Sequence, residues 1–132
     1  MCIFELYNYK RNNQNIEFMK TCSEKFIFES NKEWEPAGEG VTRQIMGYDG
    51  QVMLVKVKFT QGAQGYAHAH YHTQTTYVAS GKFEFTVDGE TRVVEAGDGI
   101  YIAPDVEHGC KCLEAGVLID CFSPMRADFI GK

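Results

Sequence analysis

Residues 62–81 read Gly-Ala-Gln-Gly-Tyr-Ala-His-Ala-His-Tyr-His-Thr-Gln-Thr-Thr-Tyr-Val-Ala-Ser-Gly and hold three of the four histidines of this 132-residue sequence, His68, His70 and His72. The fourth, His108, ends a second compact stretch, Gly-Asp-Gly-Ile-Tyr-Ile-Ala-Pro-Asp-Val-Glu-His, which begins at Gly97. Neutral imidazole is the commonest metal-binding side chain in proteins. The concentration of histidine in two short glycine-containing stretches therefore indicates a metal site.

The spacing of the candidate ligands supports one shared ion. His68 and His70 are two residues apart, which puts both on one face of an extended strand. Gln74 follows a short turn and offers an amide oxygen, while His108 comes from a distant strand. Three nitrogens and a neutral oxygen suit one divalent ion such as Ni, Zn, Mn, Fe or Co. The alternative is a solvated histidine-rich turn. His72 falls where the chain turns, so we predict it at the pocket rim or in solvent rather than as a ligand.

Composition indicates one soluble domain. At 132 residues, with 44% hydrophobic and 23% charged residues, the chain resembles an ordinary globular protein with a single core. A formal net charge of −5 without a basic stripe argues against a nucleic-acid partner. The first residues include Glu5 and lack the apolar run of a signal peptide, and no segment reaches the length of a membrane span. We expect a cytoplasmic protein without a membrane partner.

The cysteines do not suggest a disulfide framework or a second metal site. There are five of them at irregular spacing, which favours reduced thiols. Cys110 and Cys112 follow His108, but no second cysteine pair completes a zinc site. We interpret this pair as small hydrophobic residues.

From residue 41 onward the chain reads as short strands separated by glycine turns. In Met53–Phe59, apolar residues alternate with Lys56 and Lys58. Lys82–Val87 alternates again, and Asp88-Gly89 predicts a tight hairpin turn. No helical period appears before the last ten residues. The pattern predicts an all-β antiparallel sandwich or barrel, here a jelly roll. A further short strand is predicted at residues 25–30.

Asp120 is the one charged residue in the apolar stretch 117–122. Alternation puts it on the same face as Leu118 and Phe122. A carboxylate on such a face is costly unless it is paired or solvated in a cavity. Arg126 is either its ion-pair partner, bracing the C-terminus, or a clamp for a substrate carboxylate. The residues alone leave both alternatives open.

The two histidine stretches resemble the paired motifs of the cupin superfamily. Four positions fall at the spacing of the first motif: Gly62, His68, His70 and Gly81. Gln74 stands where glutamate is usual. The second motif keeps Gly97 and His108 but has three replacements: Ala103 for Pro, Asp105 for Gly and Cys112 for Asn. The resemblance implies a single-domain jelly-roll barrel over residues 31–132 with a short C-terminal helical tail. Residues 1–30 would be an N-terminal extension and the arm of a homodimer.

A closer resemblance covers roughly residues 40–129. The tail from Asp120 to Phe129 is similar to the Asp-x-Phe-x-Pro-x-Arg-x-Asp-Phe pattern of the KdgF-type pectin-degradation cupins. It implies that one divalent metal ion is held by His68, His70, Gln74 and His108, and that the active-site groups are Asp120, Phe122 and Arg126. Three tyrosines near these motifs are either pocket groups or core residues, and we predict core packing for each: Tyr66, Tyr77 and Tyr101.

The activity implied is metal-dependent conversion of a 4,5-unsaturated monouronate, from pectin or alginate breakdown, to its linear keto form. The expected partner is therefore a small sugar acid. Two alternatives stay open: a cupin dioxygenase, and a non-catalytic cupin that binds a sugar or another metabolite.

Overall fold

The computed structural model describes residues 22–130, which form one sheet of eight antiparallel strands. The strands are β1 (Glu35–Gly38), β2 (Val41–Tyr48), β3 (Met53–Phe59), β4 (Gln64–His68), β5 (Thr73–Val87), β6 (Glu90–Glu95), β7 (Gly99–Ile102) and β8 (His108–Ser123). A single 3₁₀ turn, Glu29–Asn31, precedes them, and the short helix α1 (Ala127–Ile130) follows. The predicted all-β jelly roll with a helical tail is confirmed. The boundary at residue 31, the homodimer and its arm stay predictions, since residues 1–21 lie outside the described part.

The two long strands β5 and β8 form the spine of the sheet. They pair antiparallel from Thr73 opposite Ser123 to Val87 opposite His108. Strand order is β1-β2-β3-β8-β5-β6, with β4 added to β8 and β7 added to β5. One half of β8 pairs with β4 and the other half with β3, so the sheet folds back on itself. This folding makes the jelly roll.

Two glycines occupy the place where the spine bends. The β5–β8 register shifts between Val78 and Phe83, beside Gly81 and Gly116. Gly81 has φ of +84°, and a Cβ there would lie 2.6 Å from the carbonyl oxygen of Glu114. A Cβ at Gly116 would overlap the carbonyl of Ser80. Only glycine permits this approach of the two backbones.

The predicted hairpin turn is confirmed. β5 ends at Val87 and β6 begins at Glu90, and these two residues are paired. Asp88 and Gly89 have φ of +50° and +78°. Two consecutive left-handed residues twist in the sense that joins adjacent strands.

The core consists of two groups of inward-facing side chains. The larger group is Val41, Phe59, Val78, Phe83, Phe85, Ile102, Cys112 and Leu118. The smaller group is Ile45, Met53, Val55 and Phe122. The rings of Phe59 and Phe83 meet edge to face at 5.3 Å. The alternation predicted for Met53–Phe59 is confirmed, because Val55 and Phe59 are buried while Lys58 is exposed.

The strand predicted at residues 25–30 is wrong. This segment ends in the 3₁₀ turn, and Phe26 and Phe28 are exposed. A strand needs a neighbour for its backbone groups. Here the buried side chain of Gln44 provides backbone partners instead, because its Nε2 donates to the carbonyl of Glu29 at 3.4 Å and to that of Lys32, just beyond the segment, at 2.8 Å.

The assignment of three tyrosines to the core is also wrong. Tyr66, Tyr77 and Tyr101 are exposed by 76%, 51% and 58%. Along β5 the buried residues are Gln74, Thr76 and Val78, so the phase of the strand turns Tyr77 outward. The prediction was based on the aromatic character of these side chains. The alternation of side chains along a pleated strand instead determines which of them face the core.

Cys110, Cys112 and Cys121 are free thiols, as expected, but Cys22 is disulfide-bonded. The expectation of reduced cysteines is therefore wrong at Cys22. No helix between residues 22 and 130 has both the length and the apolar character to cross a membrane.

Candidate metal centre

Three histidines converge at one end of the fold. Their ligand nitrogens, from His68, His70 and His108, all lie within 4.8 Å of one another. His68 ends β4 and is paired with His108, the first residue of β8, so sheet register brings these two rings together. His70 lies just beyond the end of β4 rather than within the strand. Its ring centroid is 4.9 Å from that of His108. The predicted convergence of two remote segments is present.

Backbone hydrogen bonds set the tautomers of two of these rings. Nδ1 of His68 donates to the carbonyl of Tyr66 at 2.8 Å, and Nδ1 of His108 donates to the carbonyl of Val106 at 2.9 Å. A carbonyl can only accept, so the proton is on Nδ1 and each Nε2 carries a lone pair. Nε2 of His108 is buried and has no hydrogen-bond partner within residues 22–130. A buried lone pair of this kind fits a metal ligand.

The amide of Gln74 is turned so that its oxygen faces the histidines. Thr76 Oγ1 donates to Asp120 Oδ1 at 2.7 Å and accepts from Gln74 Nε2 at 3.0 Å. Gln74 Oε1 therefore points the other way and lies 3.0 Å from His70 Nε2. Nδ1 of His70 lies 3.2 Å from the carbonyl of His72, and in the tautomer that donates to this carbonyl Nε2 carries a lone pair. Two acceptors facing each other at this distance suit two ligands of one cation.

Burial lowers the pKa of both His70 and His108. Desolvation disfavours the charged imidazolium, so these rings stay in the neutral form that binds metals. His68, His70, Gln74 and His108 together fit one divalent ion.

A cavity of about 250 Å³ adjoins the histidines. Its polar wall is formed by Arg43, Gln64, His68, Gln74, His108, Asp120 and Arg126. Aromatic and aliphatic side chains form the rest, including Phe59, Phe85, Leu118, Phe122 and Phe129. Six of the seven predicted site residues line this cavity, and the seventh, His70, contacts the rings of His68, His108 and Phe122.

Asp120 lies on the cavity wall on the face shared with Leu118 and Phe122, as alternation predicts. Burial raises the pKa of Asp120 to about 6, against the opposing effects of the Thr76 hydrogen bond and the Arg126 charge. Its hydrogen-bond partner is Thr76, not Arg126. A carboxyl group with a pKa near neutrality can both take up and release a proton.

Arg126 is held by its own neighbour in sequence. Its Nε and Nη2 donate to the two carboxylate oxygens of Asp128 at 3.0 and 2.9 Å. Its guanidinium carbon lies 4.4 Å from the ring centroid of Phe129 and 5.2 Å from that of Phe122. The ion pair that braces this segment is therefore Arg126–Asp128 rather than Arg126–Asp120.

His72 is buried, so its predicted position at the rim or in solvent is wrong. Its Nδ1 donates to the carbonyl of Pro124 at 2.9 Å, and its ring stacks on Tyr71 at 4.0 Å. It lies outside the group of three convergent histidines. His72 ties the loop after β4 to the segment that carries Arg126.

Asp105 shows how the altered second motif keeps its turn. It stands where the family pattern has glycine and adopts φ of +64°. Aspartate is among the few residues that tolerate this conformation. Its backbone N–H donates to the carbonyl of His70 at 2.7 Å, which joins the two histidine stretches.

Three groups at the site were not predicted from the sequence: Arg43 and Phe129, which line the cavity, and Thr76, which bonds to Gln74 and Asp120. Thr76 is two residues from Gln74 on the same face of β5, and Arg43 interrupts the buried row Val41, Ile45 of β2. Strand alternation was the available signal for both. Phe129 had no such signal, because its position depends on α1 packing over the cavity.

Comparison with known proteins agrees with this fold. The family described as Cupin domain matches residues 55–120, and the chain belongs to the cupin superfamily. Over 108 residues it is 41% identical to the pectin degradation protein KdgF of Dickeya dadantii strain 3937, covering 80% of this chain and 98% of that protein. Within the superfamily it is a KdgF-type cupin.

Two solved structures extend the comparison. An RmlC-like cupin from Shewanella frigidimarina NCIMB 400 has 45% identity and a TM-score of 0.82, covering 84% of this chain and all of that one. KdgF from a Halomonas species has 35% identity and a TM-score of 0.78, covering 81% and 99%.

Proposed function

We propose that this protein is a metal-dependent enzyme that converts a 4,5-unsaturated monouronate, released from pectin or alginate, to its linear keto form. The KdgF relative carries pectin degradation in its name. The observation on which the proposal mainly depends is that the convergent histidines and Gln74 lie beside Asp120. All of them except His70 line one cavity. A metal-ligand set beside a carboxyl group of raised pKa suits proton transfer on a bound acid.

The ligand set itself favours an anionic substrate. Three imidazoles and an amide are all neutral, whereas a glutamate in place of Gln74 would cancel part of the ion's charge. A divalent ion held by His68, His70, Gln74 and His108 would act as a Lewis acid on substrate oxygens and stabilise developing negative charge. This chain therefore suits enolate-type chemistry.

The remaining residues supply the proton transfer and the orientation. Ring opening breaks the bond between the anomeric carbon and the ring oxygen, and it yields an aldehyde and an enol. The proton of the anomeric hydroxyl passes to the ring oxygen, and Asp120 then moves a proton from the enol oxygen to the far carbon of the C=C bond, so no atom is gained or lost. Arg126 binds the uronate carboxylate. Phe122 forms a wall for the sugar face.

The test is the ultraviolet absorbance of the conjugated C=C bond of an unsaturated monouronate. We expect the metal-loaded protein to remove this absorbance and Asp120→Asn to lower kcat by at least about 100-fold, the usual contribution of a positioned acid or base. Metal content of the same preparation is measured by elemental analysis and should be unchanged.

Other outcomes assign the protein to another class. Substrate-dependent oxygen uptake without loss of the C=C bond would indicate a dioxygenase. Uronate binding without turnover by the unaltered protein would indicate a binding protein. If Asp120→Asn lowers only the melting temperature, the carboxyl group is structural.

A further inference from the structure

Strand β2 turns a guanidinium into the cavity. Val41, Arg43 and Ile45 share the inward face, and the two aliphatic members are buried. Only 12% of the Arg43 side chain is exposed. A charged group in such a row is costly unless its N–H groups find acceptors.

Arg43 is fixed from two directions. Its Nε donates to Glu35 Oε1 on β1 at 2.7 Å, and its guanidinium carbon lies 3.7 Å from the ring centroid of Phe129. Neither Nη group of Arg43 makes a hydrogen bond to a residue in the described part of the chain. Within residues 22–130, one of its five N–H groups is therefore engaged and the other four are open to a ligand.

Arg126, which also lines the cavity, is held in a similar way. Asp128 holds two of its N–H groups, and Phe129 again lies under the guanidinium, at 4.4 Å. The two guanidinium carbons of Arg43 and Arg126 are separated by at most the sum of their distances to the shared centroid, about 8 Å. Both residues line the cavity.

The partner carboxylates of the two arginines lie toward solvent. The side chains of Glu35 and Asp128 are 44% and 60% exposed, so water screens them, while their arginines are 12% and 14% exposed. Charges on the inner side are stronger because water is excluded there. Asp120 is the only carboxylate among the cavity-lining residues of the described part, whereas two arginines, Arg43 and Arg126, line the same cavity. The excess of positive charge among the cavity-lining side chains favours binding of an anion in the cavity.

We infer that Arg43 is a second recognition residue for the carboxylate of the substrate, acting together with Arg126. The inference rests on the proposed function for the identity of the ligand, a sugar acid. A carboxylate that accepts hydrogen bonds from two planar guanidinium groups is oriented as well as bound. Phe129 sets the spacing between the two groups.

The test compares binding of a saturated uronate, D-galacturonate, with binding of the neutral sugar D-galactose by calorimetry on metal-loaded protein. We expect Arg43→Gln to weaken galacturonate binding at least tenfold and to leave galactose binding within twofold. With the unsaturated monouronate, KM should rise at least tenfold while kcat changes less.

Two further variants serve as controls. Arg92→Gln on β6 removes an exposed cation that pairs with Glu90 outside the cavity, so galacturonate affinity should not change. Arg43→Lys keeps the charge without the planar fork, and we expect an intermediate loss. Arg43→Lys also tests the role of the guanidinium group if Arg43→Gln does not fold.

The outcomes separate this inference from the proposed function. If Arg43→Gln and Arg43→Lys keep wild-type galacturonate affinity and KM, or lose galactose binding equally, Arg43 is structural and the inference is wrong. If the unaltered protein binds galacturonate through Arg43 but never removes the C=C absorbance, the proposed function fails while the inference stands. Absence of galacturonate binding by the unaltered protein overturns the inference.

Discussion

Thr76 connects a proposed metal ligand, Gln74, to the proposed proton carrier, Asp120. Because its hydroxyl donates to Asp120, it can only accept from Gln74, and this orders the amide with its oxygen toward His70. A carboxylate therefore sets the orientation of a neutral ligand through one hydroxyl group. Supporting groups of this kind commonly tune metal affinity and activity.

Replacing Thr76 by valine keeps the shape and removes the hydroxyl. We expect metal affinity and kcat each to fall about 10- to 100-fold, because the Gln74 amide is no longer oriented and Asp120 loses its donor. Chelator competition gives the metal dissociation constant independently of turnover. Thr76→Ser keeps the hydroxyl and should restore both quantities. Wild-type metal affinity in the valine variant would contradict this role.

At the scale of elements, the bend in β8 brings the two halves of the site together. His108 and Asp120 are twelve residues apart on one strand, which would separate them by about 40 Å in a straight strand at roughly 3.3 Å per residue. Both nevertheless line a cavity of about 250 Å³. The crossing of Gly81 and Gly116 is where β5 and β8 change direction.

Gly116→Ala places a methyl group against the carbonyl of Ser80. We expect the free energy of unfolding to fall by at least about 2 kcal/mol, since overpacking in a filled region costs about 1–3 kcal/mol and backbone cannot move aside easily. Urea unfolding measures this change. Gly50→Ala is the matched control, because a Cβ there meets no atom within 4 Å. Equal stability of the two variants would show that the crossing tolerates a side chain.

At the scale of the whole molecule, one ion would join β4, the loop after it, β5 and β8. Metal binding should therefore stabilise the fold by about 2.7 kcal/mol when the free metal is at 100 times its dissociation constant. Chelator treatment should lower the melting temperature, and adding Ni²⁺ or Zn²⁺ should restore it.

Two histidine variants check that the shift belongs to the proposed site. His108→Asn should abolish the metal-dependent change in melting temperature, because it removes a convergent nitrogen. His72→Asn should keep that change despite its lower starting stability, since His72 bonds to the Pro124 carbonyl instead. The reverse result would reassign the ligand set.

The period of the strands and the spacing of the histidines were legible in the amino-acid sequence, because alternation and turn chemistry are local. They predicted the jelly roll, the hairpin at Asp88-Gly89, and the inward face that Asp120 shares with Phe122. The prediction that the three tyrosines are buried was wrong, because which face of a strand is buried depends on what packs against it.

The partners of the buried polar groups depend on contacts between distant segments. Asp120 pairs with Thr76, forty-four residues away, and the Arg43 guanidinium lies over the ring of Phe129 from the far end of the chain. Local order alone does not specify which remote group meets a buried carboxylate or guanidinium. The sequence thus identifies the types of residue that carry the chemistry. Their pairing is decided only in the tertiary structure, when the bent sheet closes. Closure removes water from the buried polar groups, so each of them must form a hydrogen bond or ion pair with a group that lies nearby.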